Sequence, residues 1–193
     1  VPGGAAQEKA SFALLGATTV AIADGDPSEA WFVIHEVAHQ WFGRALGPDD
    51  WAENWLNEGF AVLATRAFSA HAWGEARGEA EVERARTRYG RLVEQGRDRP
   101  LRVPRWTTPG DAGGAVAYTK SLLLLERLRS AVGAEVFDQA IRAWFASSSR
   151  PVGATSESLI EALDEASMAA ELDGVLLEWV DGVGEAARLI GGD

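Results

Sequence analysis

A mostly α-helical fold with a small strand element at its N-terminal edge is what this sequence predicts, and three observations predict it. Apolar residues recur at helical spacing through most of the chain after residue 28. Two acid-led segments, Asp26-Pro27-Ser28-Glu29 and Asp50-Trp51-Ala52-Glu53, carry the residues that open helices. Strand-like runs rich in β-branched residues are confined to 11–23.

In chain order, Ser11 to Leu15 and Thr18 to Ile22 read as one or two short strands around Gly16. Asp26 caps the next element, Pro27 suits the first helical position and Glu29 completes a capping box. That helix is expected to carry Trp31, His35, His39 and Phe42 and to stop between Gly43 and Gly47-Pro48. A second, with Glu53 as a capping acid, presents Leu56, Phe60, Leu63 and Ala67 on one face. From Glu75 to Arg97, acids alternate with arginines, so this helix reads as solvated, with Glu79 and Glu83 placed to pair with arginines. Pro100, Pro104 and Pro109 mark an irregular stretch up to Gly114, followed by helices over Ala115–Ala131, Glu135–Ser147, Ser156–Ala166 and Leu172–Val180. The expected organisation is one domain over 1–193: a strand-rich edge (1–25), a pair-of-helices region (26–110) and a helical lobe (111–193). A lone hairpin is marginal in water, so more sheet is expected upstream in a longer parent protein.

The bulk properties narrow the function. The 193 residues include no cysteine, so a metal site must be built from imidazole and carboxylate. A net charge of −11 argues against a nucleic-acid partner. No apolar run approaches the roughly 20 residues that span a bilayer, and no partner membrane is expected. The opening Val1-Pro2-Gly3-Gly4 has neither an initiator Met nor a signal-peptide pattern, so the chain is expected to continue into further domains, and no compartment is indicated.

The chemistry is concentrated in His35-Glu36-Val37-Ala38-His39. Residues four apart share a helix face, so both imidazoles reach one ion while Glu36 lies beside its open coordination position. A catalytic zinc needs a third protein ligand. His71 lies a full helix away; Glu58 is the candidate and Glu53 its rival. Eighteen residues separate His39 from Glu58, enough for the end of one helix, a turn and the start of an antiparallel second.

His35-Glu36-Val37-Ala38-His39-Gln40-Trp41-Phe42-Gly43, followed at this spacing by Trp55-Leu56-Asn57-Glu58-Gly59-Phe60-Ala61, closely resembles the gluzincin aminopeptidases typified by aminopeptidase N, a group that includes leukotriene A4 hydrolase. The resemblance continues through Tyr118-Thr119-Lys120-Ser121, with Ser121 at a position usually held by Gly, and into the later helices. It implies a thermolysin-like catalytic domain that holds one zinc ion through His35, His39 and Glu58 and cleaves peptides, most simply from their amino termini. It implies Glu36 as general base and Tyr118 as donor to the oxyanion. Asn57 or a nearby acid is expected to orient a ligand histidine. The family's Gly-Ala-Met-Glu-Asn segment, whose Glu binds the substrate's free amine, corresponds here to Gly4-Ala5-Ala6-Gln7-Glu8, which puts Gln7, or Glu8 with a one-residue slip, in the substrate-binding position. A non-catalytic relative, or an endopeptidase or other hydrolase of the superfamily, is the alternative.

Overall fold

The computed structural model describes residues 6–9, 11–105, 114–148, 153–167, 172, 174 and 177–183. The strand element is a single antiparallel hairpin of β1 (Ala6–Lys9) and β2 (Phe12–Leu15), in register Ala6↔Leu15 to Lys9↔Phe12. Its turn passes through Ser11 at φ 69°. Gln40 fastens that turn from outside: its Nε2 donates to the Lys9 carbonyl at 2.9 Å and its Oε1 accepts from the Ser11 amide at 2.8 Å.

The second expected strand is instead helix α1 (Ala17–Gly25), with Gly16 at its N-cap. Thr18, Thr19, Val20 and Ile22 favour strands by composition, but strand preference depends on a pleated neighbour to pack against. The sheet among the described residues holds only two strands, and the segment packs against the helix that follows, burying Thr19.

The expected capping box also resolves differently. Pro27–Glu29 form a short 3-10 turn, and α2 (Trp31–Ala38) starts separately after Ala30. Glu29 reaches away to Arg77 at 2.6 Å. Helix α2 ends four residues before the predicted Phe42. Beyond it, Arg44, Ala45 and Leu46 donate to carbonyls five residues back, a wide loop closed by the Gly43 amide on the Leu46 carbonyl at 2.6 Å.

Asp50 caps as expected, accepting from the Ala52 amide at 2.7 Å, though the element it caps is a 3-10 turn, Trp51–Glu53, that leads into α3 (Asn54–Trp73). Helix α4 (Glu75–Glu94) is amphipathic rather than wholly solvated, burying Gly78, Glu81, Ala85, Tyr89 and Leu92. Glu83 pairs with Arg86 at 3.2 Å, whereas Glu79 forms no ion pair among the described residues. Helices α5 (Ala115–Val132), α6 (Ala134–Ser148) and α7 (Ser156–Ser167) match the predicted segments within two residues at each end. Of the predicted helix Leu172–Val180, the described part is a π-helical turn over Leu177–Asp181.

Helix α3 is the centre of the packing, contacting α2, α4 and α5. Trp55, Leu56 and Phe60 from α3 meet Leu122 to Leu125 from α5 and Trp144 from α6 in one core. Two buried polar networks tie later segments to this core. Glu53 accepts from Trp55 Nε1 at 3.1 Å and from Ser156 Oγ at 2.5 Å, and forms an ion pair with Arg102 at 2.8 Å. Lys120, fully buried, donates to the carbonyls of Gly182 at 2.8 Å and Arg99 at 3.0 Å. Such groups stay in the interior because each has partners that replace water.

Helices α3 and α5 touch most closely where Gly59 faces Ser121. A Cβ at Gly59 would sit 2.8 Å from Ser121 Cβ. Gly59→Ala is therefore expected to destabilise the fold by about 1–3 kcal/mol through overpacking, despite alanine's better helix propensity. Denaturant unfolding of Gly59→Ala and of Gly59→Ala with Ser121→Gly measures this: the double variant recovers most of the loss if the crossing is the cause.

Candidate metal centre and active site

Helix α2 carries His35, and its C-cap residue His39 follows one turn later; both are 2% exposed. Their rings stand nearly perpendicular, 82° apart with centroids at 4.5 Å, which brings the two Nε2 atoms to 3.0 Å. Glu58, from the first turns of α3, adds Oε2 at 3.3 Å from His35 Nε2 and 3.6 Å from His39 Nε2. One ligand atom from each of the three lies within 4.8 Å of the others. His71, by contrast, sits exposed in the last turn of α3. Glu53, the rival acid, is held in the Arg102–Ser156–Trp55 network; nor does its side chain cap α3.

The tautomer of His39 follows from its other nitrogen. Nδ1 lies 3.1 Å from the Phe42 carbonyl, which only accepts, and 2.9 Å from Asn57 Oδ1. Nδ1 therefore carries the proton, and Nε2 turns a lone pair toward His35 and Glu58. Burial alone would raise the Glu58 carboxyl; its hydrogen bonds and charge interactions with His35 and His39 outweigh that and hold it at about 2. Glu58 is thus an anion throughout the neutral range. Once deprotonated, as metal binding requires, lone pairs and an anion aimed at one buried point repel one another unless a cation sits among them. Nitrogens bonded at about 2.0–2.1 Å to one tetrahedral zinc lie about 3.3 Å apart, close to the spacing present. A His2Glu donor set without thiolate fits a catalytic zinc with one position left for water.

The surroundings orient these donors. Trp31, one turn before His35, stacks on its imidazole at 4.7 Å and 12°. The early end of α2 aims the Phe42 carbonyl back at His39, and Gly43 follows at φ +115°. A Cβ on Gly43 would lie 2.2 Å from Asn57 Oδ1, so the glycine leaves room for the Asn57–His39 bond. Glu36 is 6% exposed on α2 beside the ligand pair. Tyr118, half-buried on α5, brings its ring within 5.4 Å of the His35 ring and 6.4 Å of Trp31. Tyr118 and Trp31 both line a cavity of about 580 Å³ that runs out toward α4. Gln7 and Glu8 fall on β1, opposite Leu14 and Ala13; their side chains lie outside what the structure describes.

Sequence reasoning thus brought together His35, His39, Glu58, Glu36 and Tyr118, and offered Asn57 as one orienting residue. It missed Trp31 and Gln40. The four-residue step from Trp31 to His35 was a usable signal; the Gln40 clamp on the hairpin was not, since it depends on where β1 and β2 turn.

The family described as "Peptidase family M1 domain" matches residues 10–179. Rat (Rattus norvegicus) aminopeptidase B is 34% identical over 128 residues, 62% of this chain and 20% of its own length. The chain therefore spans about a fifth of the length of such curated relatives. The crystal structure of an M1 zinc metallopeptidase from Deinococcus radiodurans aligns with TM-score 0.72 and 30% identity over 93% of this chain and 37% of that one. Yeast LTA4 hydrolase in complex with bestatin aligns with TM-score 0.75 over 89% of this chain and 28% of that one; at 24% identity it speaks to the fold.

Loss of the orienting bond should weaken metal binding without unfolding the chain. Asn57→Ala and Gly43→Ala are each expected to lower zinc affinity about 10–100-fold. Competition with a chromogenic chelator measures it, and unchanged affinity in both variants would remove Asn57 from the site.

Proposed function

We propose, from the premise that this chain belongs to peptidase family M1, that it forms the zinc-binding part of a metallo-aminopeptidase which removes N-terminal residues from peptides. The observation that carries the reading is the convergence of His35, His39 and Glu58 within 4.8 Å. Relatives bearing aminopeptidase names support the exopeptidase direction.

In this reading His35, His39 and Glu58 hold zinc. Bound there, zinc polarises the scissile carbonyl and lowers the pKa of a water toward about 7. Glu36 accepts the proton of the attacking water and delivers it to the leaving amine. Its burial beside the ligands keeps the carboxylate out of bulk solvent, where a proton relay would leak. Tyr118 donates its hydroxyl hydrogen to the carbonyl oxygen as that oxygen gains negative charge; its ring lies 5.4 Å from that of His35, which supports this role. Asn57 and the Phe42 carbonyl hold His39 in the tautomer that leaves Nε2 free to ligate. Gln7 or Glu8, on the strand that Gln40 anchors to the end of α2, is the position for contact with the substrate's free amine.

Glu36→Gln should keep stoichiometric zinc and lose hydrolysis by about 10²–10⁴-fold, read by metal analysis beside turnover of amino-acid anilides. Tyr118→Phe should lower kcat about 10²-fold or more with metal content unchanged; ordinary turnover would make Tyr118 a packing residue. Peptides with free and with blocked amino termini separate exopeptidase from endopeptidase action, since only the former requires the free amine.

A further inference from the structure

The rings of His35 and His39 meet different neighbours. His39 Nδ1 faces the Phe42 carbonyl and Asn57 Oδ1, so directed hydrogen bonding sets that ring. The His35 imidazole lies flat against the indole of Trp31, the first residue of α2, with centroids 4.7 Å and planes 12° apart. Other ring pairs at the centre are inclined: His35–His39 at 82°, His35–Tyr118 at 45° and Trp31–Tyr118 at 56°. The four-residue step from Trp31 to His35 puts both on one helix face. Trp31 is itself braced, since it packs against the hydrophobic core and meets Phe32 edge-on at 5.0 Å.

Two physical effects follow from this stack. The torsion that turns an imidazole about its own axis is broad, so a flat surface against the ring selects one plane out of many. The second effect is electrostatic. An aromatic face is electron-rich, and tryptophan attracts a cation more strongly than tyrosine or phenylalanine does. A neutral imidazole gains little from that face, whereas an imidazole bonded to a cation takes on part of its charge and gains more. His35 is 2% exposed, so little water screens the difference. Only a contact stronger in the ligated form than in the free form shifts the balance toward ligation, and this one has that property.

We propose that Trp31 is a positioning residue that tightens zinc binding through His35, by fixing the plane of the imidazole and stabilising the charge the ring acquires on ligation. The inference rests on the metal reading of the His35–His39–Glu58 cluster. A Trp31 that merely filled space would be replaceable by any apolar side chain of sufficient bulk; the stack requires an aromatic one.

Zinc competition against a chromogenic chelator, starting from metal-free protein, compares the parent with Trp31→Phe and Trp31→Leu. Trp31→Leu should bind zinc about 3–30-fold more weakly, and Trp31→Phe, which keeps a flat ring, should stay within about threefold of the parent. Denaturant unfolding of the metal-free proteins shows whether each variant is folded before zinc is added. A second measurement needs only the conservative variant: zinc addition should perturb the near-ultraviolet indole absorption. The chain has eight tryptophans, so the part due to Trp31 is the part lost in Trp31→Phe. Parent-like affinity in folded Trp31→Leu, an affinity in Trp31→Phe as low as in Trp31→Leu, or an indole perturbation that persists in full in Trp31→Phe overturns the proposal. Zinc uptake that ignores Trp31 would remove this role alone, whereas no uptake by the parent protein would remove the metal reading with it.

Discussion

Three electron-rich groups held within 4.8 Å of one another, two imidazole nitrogens and a buried carboxylate, are the constraint on which the rest of this structure depends. In their deprotonated form they repel unless a cation sits between them, and burial strengthens that repulsion. The fold must hold α2 and α3 together against it. The means is mostly apolar: Phe42 stacks on Phe60 at 4.9 Å, and Phe60 packs against Trp144 at 5.1 Å, so the loop after α2 is fixed to the core directly behind the ligands. Trp55, 1% exposed, and its partners Glu53 and Ser156 secure the start of α3 from the other side.

Successive residues of α3 divide this work because each is turned about 100° from the last. Asn57 points at His39, Glu58 at the shared ligand position, Gly59 at Ser121 of α5, and Phe60 at Phe42 and Trp144. Four consecutive positions thus orient His39, join the His35–His39 cluster, make a helix crossing and fill the core. The crossing at Gly59 also sets the depth of α5, and with it the position of Tyr118 one turn away from the contact. A change at the crossing is therefore felt at Tyr118 as well as in stability.

The electrostatics of the site and of the surface are of different kinds. Around the ligands, partners are buried and specific, so that Asn57 and a backbone carbonyl decide a tautomer. On α4 the pairs Glu81–Arg84 and Glu83–Arg86 are local and one turn apart; the second is solvent-facing, where ion pairs contribute little, while Glu81 is buried and only its arginine faces solvent. Arg102 lies between these extremes, bridging Glu53, Glu157 and Asp181, so that it links the start of α3 to α7 and to the terminal π-helical turn.

The candidate metal-binding cluster, Glu36 and the helices from α3 onward were legible in the sequence because their signals are local: a four-residue step sets a helix face, and apolar periodicity sets the core side. Ser121 opposite Gly59 was visible only as an odd residue in a motif; its meaning is a distance between two helices. The sequence misled at Thr18 to Ile22, where β-branched residues suggested a strand and packing against α2 made a helix, and at Phe42, where the helix ended early so that a carbonyl could turn back to His39. By itself, then, the chain's residue order determined which groups can converge on one point, since the four-residue step sets a shared helix face and the eighteen-residue gap allows an antiparallel partner. The tertiary structure alone decided how those groups are aimed, because tautomer, ring stacking and the Tyr118 cavity depend on atoms brought together from α2, α3, α4 and α5.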